Sequence, residues 1–310
     1  MRRNSFTKGV RQYMTRLRAA ARFSSAKSYQ DALNSLIRFF GRDEIAYGDI
    51  TRANLRRYQD DLLRRGRSWN TVSTYMRRVR CVYNQAVDRG EAPYVPNLFR
   101  EIFTGVENRR KRAVTQEEIR RLITAPVGSP GLRQAQLAVT LMFQYGGMAF
   151  VDLSHLRAGN FREGILDYRR QKTGTPMRIL VPEATRNPLQ ELSSHTRPDS
   201  PYLFPFLSGT QSGEAAYREY KSSLARFNQR LRALARAAGI TAAVSSYTIR
   251  HSFASILKEL DVPIEMISEL LGHKSITTTQ IYLKSFSLEK MASVSRMCFE
   301  SVCASGTGRG

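Results

Sequence analysis

Three stretches near the end of the chain bring together residue types that can act on a phosphodiester: Tyr247-Thr248-Ile249-Arg250-His251, Leu271-Gly272-His273, and Tyr282. A phenol is a poor nucleophile at neutral pH, because its pKa is about 10. Cations beside it favour the phenolate and also stabilise negative charge on phosphate, so an Arg and a His near a Tyr serve both needs. Each piece has a plainer reading as well. Gly272, after Ile267, Leu270 and Leu271, can simply end a helix, with His273 a solvated residue beyond it. Tyr282 can be a core aromatic, and Arg250-His251 a surface pair on an amphipathic helix.

The charge balance points the same way. Lys and Arg number 49 against 26 Asp and Glu, a formal net charge of +23. Such a surplus implies a polyanionic partner. Nucleic acid fits better than a membrane, because no run approaches the ~18 apolar residues that span a bilayer. Met1-Arg2-Arg3-Asn4-Ser5 is basic with no apolar segment behind it, unlike a secretory signal. Cys81, Cys298 and Cys303 lie far apart without metal-type spacing. That argues for a reducing, cytoplasmic setting, nucleoid-associated when bound to DNA, and against a disulfide framework or a zinc site. No cofactor and no metal are expected.

The elements that must position these residues fall into two groups, and the fold class expected is mostly α with a small antiparallel sheet. From Ser24 to about Arg89 the apolar positions recur at helical spacing. Tyr29, Leu33, Leu36, Ile37 and Phe40 mark one helix; Leu55, Tyr58, Leu62 and Leu63 a second, opened by Thr51; Val72, Tyr75, Met76, Val79 and Tyr83 a third, starting at Asn70 or Thr71. Their polar faces carry eight arginines, among them Arg56, Arg77, Arg78 and Arg80. Any one of them reads as a solvated face; together they favour phosphate contact, which carries no sequence specificity. Glu91 to Arg112 looks like a connector, broken by Pro93 and Pro96 and ending in Arg109-Arg110-Lys111-Arg112. That cluster reads either as a basic strap around a duplex or as a solvated linker. A second group of elements opens with a capping box, Thr115 to Glu118. Helices are expected over Leu132–Tyr145 and Phe150–Leu156. Strands over 164–168 and 177–181 are joined by a turn-rich hairpin, Lys172-Thr173-Gly174-Thr175-Pro176. A long helix from Gly213 to about Ala238, one carrying Arg250, one ending at Gly272 and a last one from Ser287 complete the reading.

The order and spacing, Arg250-His251, then Gly272-His273, then Tyr282 nine positions on, resemble the C-terminal signature of the tyrosine recombinases, the phage integrase family. The resemblance covers roughly Thr115 to Met297; before that it rests on architecture. It implies an N-terminal helical core-binding, SAM-like domain (1–105), a basic linker (106–114), an integrase-type catalytic domain (115–303) and a disordered tail (304–310). It also implies a site-specific recombinase that integrates, excises or inverts a DNA element. Tyr282 would attack the scissile phosphate, leaving a 3′-phosphotyrosyl link and a free 5′-hydroxyl. Arg250 would grip the non-bridging oxygens as a planar fork. His273 would hydrogen-bond the same phosphate, and Lys172 in the hairpin would protonate the departing 5′-oxygen. His251 would pack. The implied partners are double-stranded DNA and three further copies, forming a tetramer on two sites with the last helix docked on a neighbour; an accessory DNA-bending protein is left open.

The chain departs from the family pattern twice. Tyr247 stands where many members have a His, and a phenol is a weaker base. The family's first arginine should lie within Gly146-Gly147-Met148-Ala149-Phe150-Val151-Asp152-Leu153, at Gly146 or at Ala149, and neither carries charge. Losing one charged transition-state donor costs about 3–4 kcal/mol. Either another arginine substitutes, Arg157 being nearest and Arg133 farther back, or the site is weakened or inactive. A catalytically degenerate DNA-binding protein and a topoisomerase-like enzyme are the rival readings.

Overall fold

The computed structural model describes residues 5–107 and 113–282 together with 292, 295–297 and 300; at 281 and 282 it describes the backbone alone. The chain divides into two compact units, Met1–Lys111 with Ser212–Tyr217, and Arg112–Gln211 with Arg218–Gly310. The last helix expected from Ser287, the cluster Arg109-Arg110-Lys111-Arg112 and the tail lie outside the described residues, apart from isolated positions.

The first unit contains α1 (Phe6–Ala19), α2 (Phe23–Phe40), α3 (Arg52–Arg64) and α4 (Trp69–Asp88). Ser5, Thr51 and Ser68 cap three of them, each hydroxyl accepting the backbone N–H three residues on. The cap at Ser68 starts α4 slightly earlier than its apolar spacing suggests. α1 was not expected, yet it presents Phe6, Val10, Met14 and Leu17 to the same core as Leu33, Leu36, Leu55 and Met76. The connector is also shorter than expected. Ala92, Leu98 and Ile102 are buried in this core. The Tyr83 hydroxyl donates to the Pro93 carbonyl at 2.9 Å, and Gln59 accepts the Phe103 N–H at 2.9 Å. Pro93 and Pro96 therefore shape a packed loop.

From residue 113 onward come α5 (Gln116–Thr124), α6 (Pro130–Gln144), α7 (Phe150–Ser154), β1 (Phe161–Arg162), β2 (Ile165–Arg169), β3 (Pro176–Leu180) and α8 (Arg186–Ser193). They are followed by α9 (Gly213–Ala237), α10 (Ser246–Glu259), α11 (Ile264–Leu270) and α12 (Ile276–Tyr282). The capping box closes as its spacing requires: Thr115 accepts the Glu118 N–H at 3.2 Å and Glu118 accepts the Thr115 N–H at 2.8 Å. α6 starts at a Ser129 cap with Pro130 in its first turn. Every residue from Ala135 to Met142 is buried, which is what a helix apolar nearly all round must do. α5, α7, α8 and α10 pack against it. The sheet is antiparallel in the order β1-β2-β3. Glu163 and Gly164, both at positive φ (50° and 76°), form the two-residue turn between β1 and β2. On β2 and β3, Leu166, Tyr168 and Met177 face the core while Asp167, Arg169 and Arg178 face out.

Candidate active site

Two helix ends and one helix face build the site. α10 is capped by Ser245, whose hydroxyl accepts the Thr248 N–H, and it carries Arg250 inward to 5% exposure. Arg250 Nη1 donates to the Gly147 carbonyl at 2.9 Å, and Nη2 donates to the Leu271 carbonyl. Both acceptors exist because a helix has just ended. After α6 the chain turns through Gly146 and Gly147, at φ +70° and +66°. After α11 it turns through Gly272, at φ +60°. There the Gly272 N–H donates to Glu269 O at 2.7 Å and the His273 N–H to Ser268 O at 3.0 Å, a Schellman closure. The plain reading of Gly272 as a helix terminator thus holds. The terminator aims the Leu271 carbonyl at Arg250 and launches His273 beside it. Helix C-termini carry partial negative charge, which suits a buried guanidinium.

His273 Nε2 lies 3.4 Å from Arg250 Nη2, and its Nδ1 lies 2.8 Å from the Thr279 hydroxyl. A guanidinium offers only hydrogens, so Nε2 is the unprotonated nitrogen and Nδ1–H donates to Thr279. Burial pushes the His273 pKa down to about 4, and the charges of Arg250, Arg170 and Lys172 push the same way. The imidazole is therefore neutral at pH 7. Thr279 is fully buried in α12, which ties His273 to the helix whose last residue is Tyr282; the Tyr282 side chain lies outside the described residues.

The remaining predicted residues surround this centre. Lys172 is exposed in the β2–β3 turn, near enough for its charge to reach His273. Tyr247, one turn before Arg250, is 40% exposed, and its ring lies parallel to that of buried His251 with centroids 6.5 Å apart. In the first unit Arg56 pairs with Glu101. Arg78 covers the Tyr29 ring at 5.0 Å and donates to the Ser28 hydroxyl at 3.1 Å. Arg77 is exposed and Arg80 half-buried. Arg77 Nε donates within its own helix, to the Ser73 carbonyl at 3.4 Å, whereas Arg56 and Arg78 are engaged by other elements.

Sequence reasoning missed Arg170. It is 8% exposed, and its Nη1 donates to the carbonyls of Leu271 at 3.0 Å and Gly272 at 2.9 Å. Its Nε faces the Asp152 carboxylate at 3.7 Å. Asp152 also accepts the Gln171 N–H at 2.8 Å, clasping the hairpin to α7. Burial raises the Asp152 pKa, an effect opposed by Gln171, Arg170 and Arg250. The signal was strand alternation: Leu166, Tyr168 and Arg170 share one parity, and that parity is buried. The two arginines offered as substitutes are engaged elsewhere. Arg157 is exposed over the Tyr202 ring at 5.6 Å, and Arg133 forms a fork with Glu191 at 2.7 and 2.6 Å. Among the described residues no group of His, Cys, Asp and Glu could hold a metal ion, and no helix is long and apolar enough to cross a membrane.

Residues 112–289 match the Phage integrase family and residues 5–98 match the phage integrase SAM-like domain. The chain belongs to the phage integrase family, the tyrosine recombinases. Its relatives include the tyrosine recombinase XerA of Pyrococcus furiosus, 31% identical over 178 residues, which are 56% of this chain and 57% of that protein. A tyrosine recombinase of Thermosipho africanus is 24% identical over 94% of this chain and 92% of its own length. Among solved structures, a lambda integrase dimer bound to a COC′ core site aligns over 92% of this chain and 99% of that chain, with a TM-score of 0.67 at 16% identity. The Tn1549 transposon integrase in complex with circular intermediate DNA aligns over 94% and 99%, with a TM-score of 0.64 at 14% identity. At those identities the structures establish the shared fold, mostly α with a small antiparallel sheet.

Proposed function

We propose that this recombinase cuts and rejoins duplex DNA through a 3′-phosphotyrosyl intermediate, with Tyr282 as nucleophile. The observation that carries the reading is the union of Arg250, His273 and α12 at one pair of helix ends. Arg250 grips the non-bridging oxygens of the scissile phosphate. Neutral His273, its Nε2 unprotonated on the arginine side, takes the phenolic proton as Tyr282 attacks; the arriving phosphate anion raises its basicity. The new bond joins Tyr282 Oη to phosphorus. The bond broken is that to the 5′-oxygen, which takes a proton from Lys172. Tyr247 donates a hydrogen bond to the phosphate. Rejoining reverses these transfers with a 5′-hydroxyl as nucleophile, so bond energy is conserved and neither ATP nor metal is needed.

The excess of positive charge supports duplex DNA as the partner. Solved neighbours of the same fold are bound to DNA, and one is a lambda integrase tetramer bound to a Holliday junction. A tetramer on two sites, with the segment after α12 docked on a neighbour, is the corresponding assembly for this chain. The helical unit of α1–α4 serves as the core-binding domain. The test is a nicked suicide substrate whose cut strand diffuses away. The native chain should accumulate a covalent protein–DNA adduct, and Tyr282→Phe should form none while binding DNA within a few fold. An adduct that persists in the Phe variant removes Tyr282 from the role.

A further inference from the structure

We propose that Arg170 supplies, from the β2–β3 hairpin, the second positive charge of the phosphate site, replacing the cation absent at Gly146 and Ala149. The proposal rests on the phosphotyrosyl reading above and deepens it. Three independent features of the fold converge on this side chain. Arg170 directly follows β2 and continues the inward parity of Leu166 and Tyr168. Its guanidinium ends at the same carbonyl as Arg250, that of Leu271, and adds Gly272. Its other edge faces Asp152, the acid of the very segment where the arginine is absent. The acidic residue of that segment is kept, and its cationic neighbour arrives from another element.

Gly272 makes room for this arrangement. A Cβ there would stand 2.9 Å from Arg170 Cδ, and the backbone sits at φ +60°. The glycine of the Gly-His pair is thus required both by the turn and by the arginine that passes over it. Burial of a guanidinium is costly unless its hydrogens are satisfied and its charge is used or paired. Here two carbonyls take hydrogen bonds from Nη1, while the buried Nε makes no hydrogen bond and is balanced by the Asp152 carboxylate 3.7 Å away. Asp152 balances one of the two guanidinium charges, so the Arg170–Arg250 pair stays net positive beside His273.

Arg170 acts in two ways, as a positioning residue and as a fixed charge beside the phosphate site. It fixes the Leu271-Gly272 turn that presents His273 and braces the acceptor shared with Arg250. Its charge, at short range and away from water, stabilises negative charge that grows on the phosphate in the transition state. Lysine keeps the charge and loses the fork; glutamine loses the charge.

The test compares cleavage of an ordinary suicide substrate with cleavage of one whose scissile phosphate is a methylphosphonate, which lacks one negative charge. Arg170→Gln should slow cleavage of the phosphodiester by about 10²–10³-fold, as for loss of one transition-state donor. On the methylphosphonate the same variant should lose far less, because less negative charge needs compensation. Arg170→Lys should recover much of the phosphodiester rate. Equal losses on both substrates, with Lys no better than Gln, would show a structural role alone and overturn the proposal; so would an unchanged rate. If Arg170→Gln does not fold, Arg170→Met carries the same comparison: it also removes the charge, so it should lose far more on the phosphodiester than on the methylphosphonate, and equal losses on both would overturn the proposal. Tyr282→Phe runs alongside. An adduct formed by that variant would refute the phosphotyrosyl reading itself, whatever Arg170 does.

Discussion

Arg170 and Arg250 donate to one and the same backbone carbonyl, that of Leu271. Arg170 directly follows strand β2 and Arg250 lies on helix α10, and the carbonyl is free of an intrahelical partner because the helix closes in the turn at Gly272. Two guanidiniums sharing an acceptor at a helix C-terminus form a compact cationic floor, and the ring of His273 lies at its edge. Positive charge is thus gathered beside His273 although Gly146 and Ala149 carry none.

The floor has a consequence for His273. Its pKa is held near 4 by burial, Arg250, Arg170 and Lys172. An NMR titration should find this imidazole neutral down to about pH 5 and move its midpoint up toward the ordinary value in Arg250→Ala. The sign for stability follows. The unfolded chain takes up this proton near pH 6.5 and the folded chain only near pH 4, so the contribution is full above 6.5 and is lost as the pH falls from there toward 4. A midpoint at or above 6.5 in the native chain would refute the arrangement.

Gly272→Ala should be severe. An alanine at φ +60° is strained by about 1–3 kcal/mol, and its Cβ meets Met177 Sδ and Arg170 Cδ. The variant should unfold at lower denaturant concentration and lose cleavage activity. Unchanged stability would mean that the Schellman turn is not what holds Leu271 and His273.

Placing an arginine in the family's position now has a structural answer. From the sequence, Gly146 is the favoured place and Ala149 the lesser one. The structure reverses this preference. Gly146 sits at φ +70° with the Leu270 carbonyl 3.3 Å from where a Cβ would be, whereas Ala149 has ordinary extended angles at the start of α7. Gly146→Arg should destabilise the fold without raising cleavage, and Ala149→Arg should be tolerated. Denaturation curves and adduct rates on both variants decide it; a tenfold gain at Gly146 would restore the sequence-based view.

Lys172 is exposed on a turn shaped by the Gly174 N–H donating to Arg170 O at 2.8 Å and the Arg170 N–H donating to Thr175 O at 2.9 Å. In the general-acid role proposed for it, Lys172 is needed only when the leaving oxygen needs a proton. Lys172→Ala should therefore cleave slowly on ordinary DNA and recover most of its rate on a substrate with a 5′-bridging sulfur. A defect of the same size on both substrates would make Lys172 a phosphate contact instead.

Much of this was legible in the residues. Gly272 announced both a helix end and the launch point of His273, and the period change after Gly164 announced the hairpin. α1 is faint in the sequence although Phe6, Val10, Met14 and Leu17 repeat at helical spacing, because Gly9 and the basic residues between them dilute the apolar pattern. α8 was missed because Leu192 is its sole buried residue, too little apolar pattern to mark a short helix. Arg170 was missed for a different reason. Arg157 and Arg133 are near in the chain, while the fold brings Arg170 from just past the end of β2, continuing the period-2 alternation that also buries Tyr168. Nearness in sequence was the wrong measure; parity on the strand was the right one.

The central claim is that the phenol at the end of α12 becomes bonded to the DNA. Trapping the adduct on a suicide substrate, digesting it and sequencing the nucleotide-bearing peptide by mass spectrometry tests this directly. The account predicts a single modified residue, Tyr282, joined to a 3′-phosphate. A nucleotide on Tyr247 or any other tyrosine, or a 5′-linked adduct, would contradict it.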